Sequence, residues 1–256
     1  MNHKTFKAFV VLALQGFIYN TVLLFKIRTM KRWLITSIII NIILLLFIGI
    51  SNIVSTSKYK EEVRNFQIDH YLMKNNLNEQ MTKQDSVIVF IGDSQIEYCN
   101  WNELLEREDI LNRGITGDVT SGVLARVAEF TRHNPTKVFI QVGTNDLAMG
   151  IAEEQIMEDY SRVIEEIQVN SRAEIFVNSI LPVQDLPGEF YRNSEILSLN
   201  RVLKQLCAAK GVTFIDLSDQ FTDDSGNLNQ AFTNDGLHLN AKGYLIWADI
   251  LKKLVN

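Results

Sequence analysis

Cysteine, proline and histidine are scarce in this sequence, and the first two scarcities exclude several architectures. Its two cysteines, Cys99 and Cys207, are too few for a disulfide framework and lack the spacing of metal ligands. We interpret them as small buried side chains, with a single disulfide as the alternative. There are only three prolines, and no internal repeat or low-complexity run is visible. Disulfide-rich, metal-binding and repeat proteins are therefore not expected.

Positive charge is lacking in the larger, carboxyl-terminal part of the chain. Residues 85–256 carry 14 Lys and Arg against 26 Asp and Glu, which is a net charge of −12. Such a surface repels polyanions, and the sequence contains no basic stripe interleaved with aromatic residues. We therefore expect no binding to nucleic acid.

Charge of either sign is absent from residues 33–57, which form an almost continuous apolar run. A helix of this length can cross a hydrocarbon core of roughly 30 Å, so we predict a transmembrane anchor there. A second uncharged run, residues 8–25, is interrupted by polar side chains and lies at the lower limit of what can span. Residues 1–32 thus hold a candidate first membrane helix and a basic loop. The polar residues 58–84 are interpreted as a stalk.

The basic residues between the two apolar runs predict the orientation of the anchor. They lie close to both membrane ends and should stay cytoplasmic: Lys26, Arg28, Lys31 and Arg32. The chain after Val54 would then face the extracytoplasmic side of the cell membrane. No small-x-small cleavage site follows the apolar run, which favours an uncleaved anchor.

Beyond the stalk, short apolar runs alternate with amphipathic stretches. Five runs are typical of buried parallel strands: 87–91, 110–112, 137–142, 174–180 and 212–217. Helical patterns fill the intervals and the end of the chain: 119–132, 153–168, 194–210 and 241–254. This order predicts a three-layer α/β/α domain over residues 85–256, with a mainly parallel five-stranded sheet. Ligands of such sheets bind beyond the carboxyl ends of the strands.

Four short motifs fall at that edge or before the last helix: IGDS (91–94), NRGITGD (112–118), VGTND (142–146) and DGLH (235–238). A serine such as Ser94 becomes a nucleophile when an imidazole takes its proton. Of the four histidines, His3, His70 and His133 lie in the amino-terminal segment, on the stalk and at the wrong end of a helix. This leaves His238 as the candidate base.

The remaining requirements of acyl transfer also have candidates. Asp235 lies three residues before His238, so one turn can bring the carboxylate to the imidazole. An oxyanion would need hydrogen-bond donors, and Gly114, Asn145 and the N–H of Ser94 could supply them. Singly, each residue has an ordinary interpretation as a cap, a turn residue or a satisfied loop side chain. The set of motifs in order favours the chemical interpretation.

GDS, the later glycine, GTND and DGLH, in this order, resemble the four blocks of the SGNH/GDSL hydrolase superfamily. NRGITGD and VGTNDL are similar to its platelet-activating-factor-acetylhydrolase-like members, and the resemblance covers residues 85–256. It implies that Ser94 is the nucleophile, His238 the base and Asp235 its orienting acid. Gly114 and Asn145 would complete the oxyanion hole, and neither a metal nor an organic cofactor is needed.

The sequence departs from the common family pattern at two places. GDSQI replaces GDSIT or GDSL, and DGLHL replaces DGxHP, so we expect residues near Gln95 and Leu239 to shape the rim of the substrate pocket. The expected function is a membrane-anchored, extracytoplasmic serine esterase for short acyl esters, such as O-acetyl groups on cell-envelope glycans. The alternatives are a lysophospholipase or thioesterase, an acyltransferase, and a catalytically inactive glycan-binding or complex-forming module. The sequence leaves the oligomeric state open.

Overall fold

The computed structural model describes residues 64–184 and 192–256, together with scattered helical positions between residues 20 and 58. The chain divides into two compact units, Met1–Arg64 and Asn65–Asn256. The predicted membrane segments, 33–57 and 8–25, both fall partly outside the described residues. Among the positions that are described, no helix has the length and apolarity needed to cross a membrane.

The carboxyl-terminal unit is built on one parallel sheet of five strands. The strands are β1 (Ile88–Gly92), β2 (Ile110–Gly114), β3 (Lys137–Gln141), β4 (Glu174–Asn178) and β5 (Thr213–Ile215). Their spatial order is β2-β1-β3-β4-β5, and every neighbouring pair is parallel. The predicted α/β fold with a five-stranded parallel sheet is therefore confirmed.

Helices connect the strands and cover both faces of the sheet. In chain order they are α1 (64–80), α2 (Ser94–Glu97), α3 (Trp101–Leu104), α4 (Thr120–Ala125), α5 (Val127–Thr131), α6 (Thr144–Ala148), α7 (Glu153–Asn170), α8 (Asn193–Lys210), α9 (Ser218–Phe221) and α10 (Ala241–Val255). A 3₁₀ turn at Gln230–Phe232 precedes the last helix. The single helix predicted at 119–132 is divided at Arg126, whose φ of −116° and ψ of 17° leave the helical region.

Alternate strand residues pack into two separate cores because helices cover both faces. Val89 and Ile91 lie in the core that α4, α5, α7 and α8 close, whereas Ile88 and Phe90 face α3 and α10. On the second face, the ring of Trp101 stacks on the ring of Phe90 in β1, and the two ring centroids are 4.5 Å apart. This double burial explains why the strands are continuous apolar runs instead of alternating patterns.

Helix α1 belongs to the folded unit, although its residues were assigned to the stalk from the sequence. The Tyr71 hydroxyl lies 3.4 Å from the carbonyl oxygen of Gly122, and the Arg132 guanidinium donates to the carbonyl oxygen of Asn78 at 2.9 Å. Asn78 itself is buried. The domain therefore begins earlier than predicted, because polar contacts from distant parts of the chain dock this helix.

Candidate active site

Ser94 lies at the point where β1 passes into α2, at the carboxyl edge of the sheet. Gly92 ends β1 and lets it lie close to β3, because a Cβ atom there would lie 1.9 Å from the carbonyl oxygen of Gln141. Asp93 is the N-cap of α2, and its Oδ1 accepts the N–H of Gln95 at 2.9 Å. Ser94 is thus the first helical residue and not the cap, so its side chain is free for another role.

The loop before α10 brings an imidazole and a carboxylate to this serine. His238 Nε2 lies 3.0 Å from Ser94 Oγ, and His238 Nδ1 lies 2.7 Å from Asp235 Oδ2. The other oxygen of Asp235 accepts the backbone N–H groups of Leu237 and His238, at 2.9 and 2.8 Å. The three side chains form a continuous hydrogen-bonded chain, although 144 residues separate Ser94 from His238.

The ionisation of Asp235 fixes the direction of these hydrogen bonds. Burial raises the pKa of Asp235, but the hydrogen bonds from His238 and from the two backbone N–H groups outweigh this effect and lower it to about 2. An ionised carboxylate only accepts, so Nδ1 of a neutral His238 must carry the proton. Its Nε2 is then an acceptor, and the Ser94 hydroxyl donates to it.

Gln95 ties the serine turn to the histidine loop. Its amide nitrogen donates to the carbonyl oxygen of Leu237 at 2.8 Å, and its amide oxygen accepts the N–H of Leu239 at 3.5 Å. The Tyr244 hydroxyl donates to the backbone oxygen of Gln95 at 2.9 Å. Gln95 and Leu239 are both buried, and that residues near them shape the rim of the substrate pocket stays a prediction. Local sequence patterns do not indicate this bridge, because its ends are 142 residues apart.

The expected oxyanion donors, Gly114 and Asn145, both donate to acceptors within the protein. The N–H of Gly114 donates to Asn112 Oδ1 at 2.9 Å, and Asn145 Nδ2 donates to the carbonyl oxygen of Asp118 at 2.9 Å. A Cβ atom at Gly114 would lie 2.3 Å from the nitrogen of Glu97, so this glycine lets β2 pack closely against α2. No hydrogen bond among the described residues joins either donor to Ser94.

Gly117, in the loop that follows β2, has an N–H that no described residue accepts. Its φ of +80° is a conformation that favours glycine. Its neighbours in the chain are held on both sides, since Thr116 donates to Glu97 and the carbonyl oxygen of Asp118 accepts from Asn145. The signal that could have indicated Gly117 is the second glycine of NRGITGD.

Buried ionic contacts support the loop between β2 and α4. The Arg126 guanidinium lies 2.7 Å from Asp118 Oδ2 and donates to the carbonyl oxygens of Arg113 and Gly92, at 2.6 and 3.2 Å. Burial raises the pKa of Asp118, and Arg126 counteracts that shift. Asp146 is buried and accepts the N–H and hydroxyl of Thr120. Arg126, at the break between α4 and α5, thus connects this loop to the ends of β1 and β2.

The cysteines and acidic residues do not form a metal centre in the described part of the chain. Within those residues, no group of three or more His, Cys, Asp or Glu side chains is placed to hold a metal ion. Cys99 and Cys207 are both free and buried. Burial raises the pKa of their thiols to about 12 and about 11. The structure thus favours small buried side chains over the disulfide alternative.

Comparison with known proteins connects this geometry to a family. Residues 85–246 match the GDSL-like lipase/acylhydrolase family. The chain belongs to this family. Two solved structures, described as a GDSL-like lipase and a lipase/acylhydrolase, share its fold at 22% identity.

Three proteins illustrate what this chain is similar to. Subunit alpha2 of platelet-activating factor acetylhydrolase IB from Rattus norvegicus is 30% identical over 61% of this chain and 70% of its own length. A solved structure from Streptococcus pneumonia, whose name refers to platelet activating factor, has a TM-score of 0.69 and 27% identity. The match covers 78% of this chain and 99% of that one. The N-acylneuraminate cytidylyltransferase of Escherichia coli is 27% identical over 79% of this chain. The chain spans only about half of that relative's length, 48%.

Proposed function

We propose that this GDSL hydrolase is a serine esterase in which Ser94, His238 and Asp235 act as a catalytic triad. The observation that carries the proposal is the unbroken chain of hydrogen bonds from Ser94 Oγ through the imidazole to Asp235, at 3.0 and 2.7 Å. A fixed tautomer with Nε2 free to accept is what a general base needs beside a serine hydroxyl.

The proposed reaction has two halves. The Ser94 oxygen attacks the ester carbonyl and forms the new C–O bond while its proton moves to His238 Nε2. The intermediate collapses, breaks the bond to the alcohol, and the imidazolium returns the proton to that leaving group. Water then attacks the acyl-enzyme by the same sequence and releases the acid. Asp235 stays ionised throughout and stabilises the imidazolium.

The oxyanion of each intermediate needs donors beside Ser94. The N–H of Ser94 is one, and the Asn145 amide has a second hydrogen while its first is directed at Asp118. That bond orients the amide before the reaction starts, which is favourable for electrostatic catalysis. The N–H of Gly114 would have to break its hydrogen bond to Asn112 before it could donate to the oxyanion, whereas the N–H of Gly117 requires no such change. We therefore propose Gly117 as the third donor ahead of Gly114.

The proposed substrate is a short acyl ester, with acetyl groups on a cell-envelope glycan as the specific candidate. The acetylhydrolase relatives favour an acetyl group, and the N-acylneuraminate cytidylyltransferases have a sugar substrate in their name. The half-exposed ring of Tyr98 lies beside the imidazole, with its centroid 5.0 Å from that of His238. An exposed aromatic ring at this place could contact a sugar ring next to the scissile ester.

A lipid ester is the second candidate, as a lysophospholipase or thioesterase would use. Tyr98 and Met149 are large exposed side chains that follow α2 and α6, two helices that start at the catalytic edge of the sheet. Activity of the full chain on p-nitrophenyl esters of increasing length separates the two. A maximum at two to four carbons, with acetate released from acetylated sugars, supports the glycan proposal, and a maximum at eight or more supports lipids.

We also propose the location predicted from the sequence: a membrane anchor with the catalytic unit on the extracytoplasmic side. A cysteine introduced at residue 60 and treated with a membrane-impermeant thiol reagent tests it in intact cells. The native cysteines are buried, which keeps the background low. Labelling of intact cells agrees with the proposal, and labelling only after lysis contradicts it.

A further inference from the structure

The carboxylate of Glu97 joins three segments of the chain. His70 Nε2 on α1 lies 3.0 Å from both of its oxygens, and Lys74 Nζ, one turn further along α1, lies 3.1 Å from Oε1. On the other side, Thr116 donates to Oε2 with its N–H at 2.6 Å and with its hydroxyl at 2.7 Å. Glu97 ends the short helix that Ser94 begins. One side chain therefore links α1, the nucleophile helix and the loop after β2.

The charge of Glu97 is compensated mainly by α1. Only 12% of the side chain is exposed. Burial raises the pKa of Glu97, but the hydrogen bonds from His70, Thr116 and Lys74 together hold it below its ordinary value. A poorly solvated carboxylate is costly without such partners. His70 and Lys74 thus keep Glu97 ionised and in place, and an ionised carboxylate accepts both donors of Thr116.

Helix α1 also approaches the loop directly. A Cβ atom at Gly117 would lie 3.8 Å from the side-chain amide of Gln67. The Phe66 ring stacks on the His70 ring at a centroid distance of 6.3 Å and an angle of 15° between planes. The imidazole is consequently restrained between an aromatic ring and its carboxylate partner.

We propose that α1, outside the catalytic motifs, is a positioning element of the active site. His70 and Lys74 hold Glu97, and Glu97 holds Thr116, the residue next to the proposed donor Gly117. The proposal rests on the proposed function of this loop as an oxyanion donor. It gives the polar segment between the amino-terminal region and the motifs a role in catalysis instead of a role as a spacer.

A double-mutant cycle tests the linkage, because His70 and Thr116 each contact Glu97. In the full chain, we expect His70→Ala and Thr116→Val each to lower kcat on p-nitrophenyl acetate by about tenfold, with KM little changed. We expect the double variant to be about as slow as the slower single variant, because both changes remove side-chain contacts to the same carboxylate, whose contact with the N–H of residue 116 remains. If the two effects multiply, so that kcat of the double variant falls by about a hundredfold, the proposal is overturned.

Conservative variants separate positioning from a general loss of structure. His70→Gln keeps a side-chain N–H donor and Thr116→Ser keeps the hydroxyl, so each should recover most of the activity lost in the larger change. Lys83→Ala removes an exposed ion pair with Asp85 and is expected to leave kcat unchanged. Failure of both conservative variants to recover activity would contradict the proposal.

Hydrogen exchange gives a readout that does not depend on turnover. In His70→Ala, we expect amides of residues 114–118 to exchange at least about tenfold faster than in the unmodified chain, while the strands keep their protection. Unchanged exchange in this loop would overturn the linkage even if activity fell. If the unmodified chain hydrolyses no ester, the proposed function fails, and the exchange experiment still decides whether α1 holds the loop.

Discussion

The side-chain amide of Gln95 donates to the carbonyl oxygen of Leu237 at 2.8 Å, so the residue after the serine is bonded to the residue before the imidazole. The same side chain meets the N–H of Leu239 on the far side of His238. The position of the base relative to the nucleophile is therefore set by a buried amide as well as by the contact between the two reacting side chains.

Replacing Gln95 by Leu should slow catalysis while leaving the three proposed triad residues unchanged. We expect kcat to fall by about ten- to a hundredfold, since small displacements of a reacting group are costly and two backbone groups lose their partner. Steady-state kinetics on p-nitrophenyl acetate measures this. Gln168→Leu is the matched control, because Gln168 also donates to a backbone carbonyl, that of Lys210, but on an exposed surface. Equal effects of the two changes would contradict the assigned role.

Replacing Asp235 by Asn should reverse the hydrogen bond to His238. An amide can donate to Nδ1, which then places the proton on Nε2 and leaves Ser94 without an acceptor. We expect kcat to fall on the order of 10³- to 10⁴-fold with little loss of substrate binding. Asp216→Asn, which changes an exposed partner of Lys204, should stay near the activity of the unmodified chain. A loss of less than tenfold in Asp235→Asn would show that this carboxylate does not orient the base.

Asp93 should make the folded state less stable as the pH rises. It is fully buried, one of its oxygens has no hydrogen-bond partner among the described residues, and burial raises its pKa from the ordinary 3.8 to about 7. Between these two values the folded chain keeps a proton that the unfolded chain has released, so stability falls as pH rises through this window. We expect the loss to reach up to about 4 kcal/mol between pH 4 and pH 8.

Asp93→Asn retains the oxygen that caps α2 and removes the titration. Urea unfolding followed by tryptophan fluorescence at pH 5 and pH 8 should therefore show a smaller difference between the two pH values for this variant. Trp101 and Trp247 are buried in the folded unit and report on it. The same pH dependence with and without Asp93 would contradict the assignment.

Arg126 should matter more to stability than any exposed arginine. Replacing it by Met leaves Asp118 as an uncompensated buried charge and removes one donor from each of two carbonyl oxygens. We expect a loss of about 3–5 kcal/mol in the free energy of unfolding. Arg107→Met breaks an ion pair with Asp109 that is largely solvated, and should cost less than about 1 kcal/mol. Similar losses in the two variants would indicate that the buried pair is not structurally required.

The parts of this structure that follow from local pattern were predictable from the sequence. The β1 and β3 runs were evident because both faces of the sheet are covered, and the scarcity of histidine indicated His238, which the fold brings to Ser94. The contacts that were not predicted join distant segments through polar side chains, as the hydrogen bond from Gln95 to Leu237 does. No periodicity reports such pairs, since each side chain alone resembles an ordinary surface residue.

The extent of the domain was underestimated for the same reason. Helix α1 has a weak apolar pattern, but polar contacts attach it to distant parts of the chain. His70 contacts Glu97, 27 residues further on, and Asn78 contacts Arg132, 54 residues further on. From the sequence, Gly114 is a candidate donor because a glycine in a loop lets a substrate approach its N–H closely. In the structure, its missing Cβ serves packing against Glu97, and Gly117 has the freer N–H.

Labelling with a fluorophosphonate probe tests the central claim most directly, because the probe reacts only with a serine that a neighbouring base activates. We expect the full chain to take up one probe at Ser94, located by peptide mass spectrometry, with concurrent loss of ester hydrolysis. Ser94→Ala should remain folded, take up no probe and lose at least about a thousandfold in kcat. Folded, unmodified chain that takes up no probe, or Ser94→Ala that still hydrolyses p-nitrophenyl acetate, would contradict the account.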